Sequence, residues 1–340
     1  MSAALSVNVL SWPDYLLIAV YIALNLGVGW WVQARSKVTG AEYFLGGGRV
    51  PTWASAVSWY GTSVSSVSFM ALPAYAYAKN WLPMLVGPMA SLAGIVVALY
   101  FVGLIRRLKT PTVYAYLEKR FNREVRMIVA GLGALLKIFG RASVIMVLPA
   151  MALSAATGIN VYLSIALMGF VTTLYSTKGG FAAVVWTDVI QVAVMIGGVG
   201  FMIWYAAAGV EGGLGGIIET GRQADKFQFV SMEWSLSSVT GWVITGFFIG
   251  HVFTIVADQP LMQRVLAARD NPTARRMIYS GSMMTLPSNA IFFFVGTALF
   301  AFYQANPARL QAGLPDDAIV GYFIAHELPA GMVGLMIAGI

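Results

Sequence analysis

The chain has 340 residues, of which 59% are hydrophobic and 10% are charged, whereas charged residues make up roughly 25% of a typical soluble domain. One soluble core could not bury so much apolar surface, so the composition excludes a soluble enzyme, a nucleic-acid-binding domain and a disordered segment. The net charge of +7 must therefore be considered against a lipid bilayer, and the absence of Cys excludes a disulfide framework.

Nine apolar segments predict an all-α polytopic membrane protein, with 1–340 forming a single transmembrane domain. The segments are rich in Gly, Ala and Met and cover 12–33, 53–78, 81–105, 127–156, 160–176, 179–208, 234–257, 278–304 and 329–340. Small residues allow helices to pack closely in lipid. The ninth segment is too short to cross a bilayer core of roughly 30 Å, so we expect the chain to be truncated inside a helix.

The basic residues indicate how these segments are oriented. Arg35 and Lys37 follow the first segment and no basic residue precedes it, which predicts an N-terminus outside the cell. With this orientation, the cytoplasmic loops hold fifteen of the 21 Lys and Arg residues, including Arg264 in the loop 258–277, and the outer loops hold four. We therefore expect a multi-pass protein of the inner (plasma) membrane that binds no nucleic acid.

The middle of the second segment departs from the apolar pattern. Residues 58–69 read SWYGTSVSSVSF, in which six Ser and Thr residues surround Gly61. A helix interrupted here would expose carbonyl and hydroxyl oxygens, which are suitable ligands for Na⁺. The alternative is that the hydroxyl groups bond to carbonyls of their own helix or join neighbouring helices.

The fourth segment carries a permanent cation, Arg141, near its centre, and Lys137 precedes it by one turn on the same face. An ionisable residue at this depth indicates a functional site, and the planar guanidinium matches the two oxygens of a carboxylate. We therefore expect Arg141 to contact an anionic substrate. The alternative is an internal salt bridge, for which Asp188 is the expected partner.

Two further segments contain polar residues at membrane depth. Asp188 lies within GGFAAVVWTDVIQ (179–191), where a buried carboxylate requires Na⁺, a proton or an Arg. We expect it to face a coupling Na⁺, and an Arg partner is the alternative. Near the end of the seventh segment, glycines and a proline surround His251, which indicates a second interrupted helix. His251 is a candidate substrate contact, and a packed polar residue is the alternative.

Sequence motifs give no support to an enzyme. The zinc-protease motif H-E-x-x-H, the nucleophile motif G-x-S-x-G and the phosphate-binding motif G-x-x-x-x-G-K-[ST] do not occur in the sequence. The run Gly46-Gly47-Gly48 follows no strand and precedes a membrane helix, so it predicts a hinge. We therefore do not expect enzymatic activity.

Several strings of the sequence resemble the sodium:solute symporter family, from the first segment to the last third of the chain. They are DYLLIAVYIALNLGVGWW (14–31), EYFLGGGRVPTWASAVSWYGTSVSSVSF (42–69), TPTVYAYLEKRF (110–121), GGFAAVVWTDVIQ (179–191) and DQPLMQRVLAARD (258–270). Within this family the chain is most similar to the bacterial sialic acid transporters, in GGGRVP, in the GR pair at 140–141 and in the ADKF run at 224–227.

The resemblance implies a LeuT-type fold, in which a five-plus-five inverted repeat follows one extra N-terminal helix and the second repeat is incomplete in this chain. It implies a Na⁺ site at the backbone carbonyls of Gly61 and Val64, completed by two Ser residues beyond residue 340. It also implies a further Na⁺ position at Asp188. These three residues are therefore the expected Na⁺ ligands.

The resemblance also implies that the substrate carboxylate meets Arg141. It assigns the sugar-binding hydroxyl groups to Ser63, Ser65 and Ser68. The chain differs from the sialic acid branch in two places. It has Gly87 and Pro88 where that branch carries a Gln, and His251 and Thr254 where amide side chains are expected.

These features together predict sodium-coupled secondary active symport of an anionic organic solute, such as a sialic acid or another carboxylated sugar or small acid. Na⁺ binding would close the interrupted helix and preorganise a pocket near the membrane midplane. Each Na⁺ that enters gains about 2.3 kcal/mol per 100 mV of membrane potential. The alternative function is a membrane solute sensor or receptor that uses the same fold without net transport.

Overall fold

A computed structural model of the protein describes residues 10–35, 40–64, 66–110, 112–235 and 240–339. Within these ranges the secondary structure is helical and no residue is assigned to a β-strand, which confirms the all-α prediction. A helix lies in each of the nine predicted segments.

The helices are α1 (Trp12–Arg35), α2 (Gly40–Leu45), α3 (Thr52–Ser63), α4 (Ser66–Ala78), α5 (Leu82–Arg106), α6 (Ala115–Arg120), α7 (Arg123–Leu135), α8 (Ser143–Thr157), α9 (Val161–Ala208), α10 (Gly213–Gln223), α11 (Gly241–Ala257), α12 (Gln259–Ala267), α13 (Asn271–Ala305), α14 (Ile319–His326) and α15 (Met332–Gly339). A π-helical segment, Leu136–Ala142, joins α7 to α8. Such segments are rare and often occur at functional sites.

Local capping determines where several of these helices begin. The side chain of Asp270 accepts a hydrogen bond from the backbone N–H of Thr273 at 2.8 Å, so α13 starts at Asn271, before the predicted 278. Thr240 caps α11 in the same way, so this helix begins later than the predicted 234. Capping side chains stabilise a helix start because they bond amide groups that lack an intrahelical partner.

Five of the described helices are long and apolar enough to cross a membrane, and the α11–α12 pair adds a sixth if it counts as one span. The five are Trp12–Ala34, Leu82–Arg106, Arg123–Met151, Gly179–Ala208 and Asn271–Ala305. The other predicted segments contain shorter helices, and interruptions in the chain bound some of them. One interruption follows Ser63, and another is Gly180 in α9, where φ is 60° and ψ is −157°. Positive φ favours glycine, which lacks a Cβ atom.

Helix α13 lies at the centre of the molecule. It packs against α3, α4, α5 and α9. Helix α1 packs along α9 and α15. Helix α11 packs against α5. Two clusters of buried apolar side chains meet at α13, one with α4 and α14 and the other with α3, α5 and α12. Both interrupted helix pairs, α3–α4 and α11–α12, contribute side chains to these clusters.

Substitution of Gly296 tests the close packing of α13 on α4. A Cβ atom at Gly296 would overlap the carbonyl oxygen of Pro73 and lie 2.7 Å from the Cβ of Ala76. We therefore expect Gly296→Ala to reduce the free energy of unfolding by about 1–3 kcal/mol, which thermal unfolding of the purified protein would measure. The matched control is Gly200→Ala in α9, where a Cβ would meet nothing within 4 Å. Equal melting temperatures for the two variants would contradict this packing.

Candidate functional site

A cavity of about 520 Å³ lies between the two interrupted helix pairs, α5, the π-helical segment and α13. Five of the seven predicted substrate or Na⁺ residues with described positions line it, and they are Ser63, Val64, Ser68, Arg141 and His251. Ser65 lies outside the described residues. The structure therefore brings most of the candidate residues, from three separate parts of the sequence, to one cavity.

The interruption between α3 and α4 lies at Val64, within the string 58–69 where the sequence predicts it. Val64 has an extended backbone (φ −96°, ψ 123°), and its N–H still donates to the carbonyl of Tyr60 at 2.9 Å. Gly61 is itself helical, and a Cβ there would lie 2.9 Å from the Cγ2 of Val192. This glycine therefore allows α9 to approach α3 closely. The end of α3 nevertheless leaves carbonyl groups without intrahelical partners.

Two of the hydroxyl groups near this interruption bond to their own helix. Thr62 donates to the carbonyl of Ser58 at 2.8 Å, and Ser63 donates to that of Trp59 at 2.9 Å. The alternative explanation for the hydroxyl-rich string therefore applies at these two positions. Each oxygen retains acceptor lone pairs, so Ser63 can still contact a ligand in the cavity that it lines.

Arg141 links the two interrupted helix pairs. Its Nη1 donates to Oδ2 of Asp258, between α11 and α12, at 3.1 Å, and its Nη2 donates to the carbonyl of Thr62, at the end of α3, at 3.4 Å. Lys137 donates to the same carboxylate oxygen at 2.9 Å. The predicted alternative pairing of Arg141 with Asp188 is wrong, because α9 places Asp188 beside a different arginine.

That arginine is Arg264 in α12. Its Nη2 lies 2.6 Å from Oδ2 of Asp188, and its Nε donates to Oγ of Ser58 at 2.7 Å. Ser58 in turn donates to the carboxylate of Asp188. Arg264 was expected in a cytoplasmic loop, but only 5% of it is exposed. The 61° bend between α11 and α12 explains this difference, since it turns α12 against α2 and α3, where Arg264 meets Asp188 of α9.

Asp188 faces a second cavity, of about 410 Å³, on the other side of Thr62. Arg264 and Tyr43 also line this space, whereas Thr62 lines both cavities. Asp258 and Asp188 therefore belong to separate clusters, in which Asp258 pairs with two cations and Asp188 with one. Removing one partner of the largely buried Asp188–Arg264 pair would leave an uncompensated charge and is strongly destabilising.

Three residues of these sites were missed or assigned elsewhere from the sequence. Asp258 and Arg264 occur in the string DQPLMQRVLAARD. The string opens with an aspartate two positions before a proline, and this pattern is a signal for the start of a new helix. Asn289 reaches the main cavity from α13, and its amide donates to the carbonyl of Met84. A Cβ at Gly87 would lie 2.5 Å from Cγ of Asn289. Asn289 thus supplies a polar amide beside Gly87, where the sequence of α5 provides none.

Comparison with known proteins identifies relatives with this arrangement of helices. The chain is 35% identical to the sodium/sialic acid symporter SiaT of Proteus mirabilis over 331 residues, which are 96% of this chain and 66% of that protein. It is 31% identical to the sodium/sialic acid symporter NanT of Aliivibrio fischeri, again over 96% of this chain and 65% of that protein. The chain thus spans slightly less than two thirds of the length of these relatives, which are transporters and not enzymes.

The fold agrees with a solved structure of a Na⁺-coupled sialic acid symporter in a substrate-bound, outward-open state. The TM-score is 0.90 at 34% identity, and the match covers 97% of this chain and 70% of that one. Together with the apolar helices, these relatives identify a multi-pass membrane protein. The model of the sodium:solute symporter family matches residues 43–340. The chain therefore belongs to the sodium:solute symporter family.

Proposed function

We propose that the protein is a secondary active symporter that couples the entry of Na⁺ to the entry of an anionic sugar acid, for which a sialic acid is the first candidate. The observation that carries this proposal is Arg141, whose guanidinium lies in the wall of a 520 Å³ cavity between two interrupted helices. Two relatives of the chain are sodium/sialic acid symporters, which supports Na⁺ as the coupling ion and a sialic acid as the solute. The alternative function as a sensor has no support among these relatives.

Arg141 is proposed to receive the carboxylate of the solute. Arg141 lines this cavity, so an anion that enters the cavity can reach its guanidinium. A guanidinium can form two parallel hydrogen bonds with one carboxylate. Ser63, Ser68 and His251 line the same cavity, and we propose that they contact the polar groups of the solute together with Ser65.

The Na⁺ sites are proposed at the end of α3 and at Asp188. The carbonyls of Gly61 and Val64 lie at a helix interruption, where backbone oxygens can become ligands of an alkali cation. Asp188 offers a carboxylate at the second cavity, but it is paired with Arg264 at 2.6 Å. A Na⁺ ion at Asp188 must therefore share this carboxylate with Arg264 or displace it.

The positions of the interrupted helices support an inverted repeat. The α3–α4 pair would begin the first repeat and the α11–α12 pair the second, with α1 as the extra N-terminal helix. Discontinuous helices at corresponding positions, with ligands at their breaks, are typical of transporters built in this way. We further propose that the N-terminus lies outside the inner membrane, as the distribution of basic residues indicates.

Uptake into proteoliposomes tests the proposed function. With radiolabelled N-acetylneuraminic acid outside, we expect accumulation when Na⁺ is directed inward and little uptake when choline replaces Na⁺. An inside-negative potential should increase the rate, because each net positive charge that enters gains about 2.3 kcal/mol per 100 mV. Equal uptake in choline, or uptake driven by a proton gradient alone, would contradict Na⁺ coupling.

A further inference from the structure

Lys137, Arg141 and Asp258 form a charge cluster at the main cavity. The two cations donate to the same carboxylate oxygen of Asp258, Lys137 at 2.9 Å and Arg141 at 3.1 Å. Only 6% of the Asp258 side chain is exposed, compared with 46% for Arg141 and 34% for Lys137. The cluster thus combines one buried anion with two accessible cations.

The charges of this cluster add up to +1. The pair of Asp188 and Arg264 across Thr62 is neutral and adds nothing to this sum. One monoanionic solute would therefore neutralise the cluster, whereas a neutral solute would leave one charge uncompensated. Such a difference matters at membrane depth because electrostatic interactions are stronger where the effective dielectric constant is low.

We propose that Asp258 is a specificity-determining residue, whose carboxylate holds the net charge of this side-chain cluster at +1 and so adjusts the affinity of the cavity for a monoanionic solute. This inference rests on the proposed function. Asp258 engages one terminal nitrogen of Arg141, so it competes with the carboxylate of the solute for the guanidinium. Lys137 weakens this competition, because its ammonium donates to the same oxygen of Asp258 and so leaves that oxygen a weaker acceptor for Arg141.

The charge of Asp258 can be separated from its structural role. Its other oxygen, Oδ1, accepts a hydrogen bond from the backbone N–H of Leu261 at 3.1 Å and caps α12. Asn caps helices about as well as Asp does, so Asp258→Asn removes the charge and keeps the cap. The opposite change is Lys137→Met, which removes one cation and keeps a long, unbranched side chain.

Binding measurements on these variants test the proposal. We would titrate N-acetylneuraminic acid and its neutral carboxamide into purified protein in lipid nanodiscs at saturating Na⁺, using isothermal titration calorimetry. Asp258→Asn raises the cluster charge to +2, and we expect the Kd of the acid to fall about tenfold. Lys137→Met lowers the charge to zero, and we expect the Kd of the acid to rise about tenfold. The Kd of the carboxamide should stay the same in both variants.

Two further variants serve as controls. Glu118→Gln also removes one negative charge, but Glu118 pairs with Arg126 at a partly exposed site near the ends of α6 and α7, so the Kd of the acid should not change. In an Arg141→Gln background, Asp258→Asn should lose most of its effect, because the competition involves this guanidinium.

The proposal is overturned if both cluster variants leave the Kd of the acid unchanged, if they shift it in the same direction, or if the carboxamide shifts as much as the acid. A wild-type protein that binds neither compound overturns the proposed substrate class, and this inference with it. Wild-type binding of the acid with unaffected cluster variants overturns the inference alone. If Asp258→Asn fails to fold, Lys137→Met alone tests the proposal. A rise in the Kd of the acid supports it, and an unchanged Kd overturns it.

Discussion

Replacement of Arg141 by Lys is expected to weaken binding of the acid by about tenfold or more, although the positive charge is retained. Arg141 donates from its two terminal nitrogens to two different acceptors, Asp258 at 3.1 Å and the carbonyl of Thr62 at 3.4 Å. A lysine ammonium is a point charge that cannot reproduce this planar geometry. Because hydrogen bonds to charged groups contribute about 1.5–3 kcal/mol each, the loss of one is enough to explain a tenfold effect.

Arg141→Gln is expected to abolish the discrimination between the acid and its carboxamide. The measurement is the ratio of the two dissociation constants in detergent-purified protein, with Arg309→Lys as the control. Arg309 forms an ion pair with Glu327 and is 54% exposed, so its replacement should leave the ratio unchanged. If the wild-type protein binds the acid and the carboxamide equally well, Arg141 does not anchor a carboxylate and the proposal of an anionic substrate fails.

Replacement of Asp188 by Asn is expected to lower the stability of the protein and to weaken its response to Na⁺. It leaves Arg264 buried without its ion-pair partner, which costs about 3–5 kcal/mol of stability in comparable cases. It also removes the carboxylate that we propose as a Na⁺ ligand. We therefore expect both a lower melting temperature and a raised Na⁺ half-saturation concentration, with a smaller change in the affinity for the acid.

A double variant separates the structural effect from the effect on Na⁺. Asp188→Asn combined with Arg264→Gln removes both charges, so much of the lost stability should return while the response to Na⁺ stays weak. Glu118→Gln is the surface control, because exposed ion pairs contribute about 0–1 kcal/mol. A Na⁺ half-saturation that remains at the wild-type value in Asp188→Asn would show that this carboxylate has only a structural role.

The sequence was sufficient to predict a multi-pass all-α protein and several cavity residues. Lipid offers no hydrogen bonds to the backbone, so long apolar segments must be helical, and this requirement alone predicts the all-α fold. The same reasoning identified Arg141 and the string 58–69, because charged and hydroxyl residues are unusual at membrane depth. Arg141, Ser63 and Ser68 do line one cavity.

The role of Gly61 could not be predicted from the sequence alone. The interruption lies within the predicted string, but Gly61 remains helical and the chain becomes extended at Val64. Glycine has two uses in a membrane helix, since it can break the helix or let another helix approach. The contact of Gly61 with Val192 in α9 decided between them, and no local pattern in the sequence contains that contact.

The sequence by itself thus determined which residues would be costly to place in lipid. The type of each residue and its position within an apolar segment are both given by the sequence, and together they indicate its depth in the bilayer. The tertiary structure alone decided which charges meet. Asp188 pairs with Arg264 and Arg141 with Asp258, and both pairings depend on the 61° bend between α11 and α12. A bend of this size redirects a whole helix, so it changes contacts between residues that are 76 and 117 positions apart.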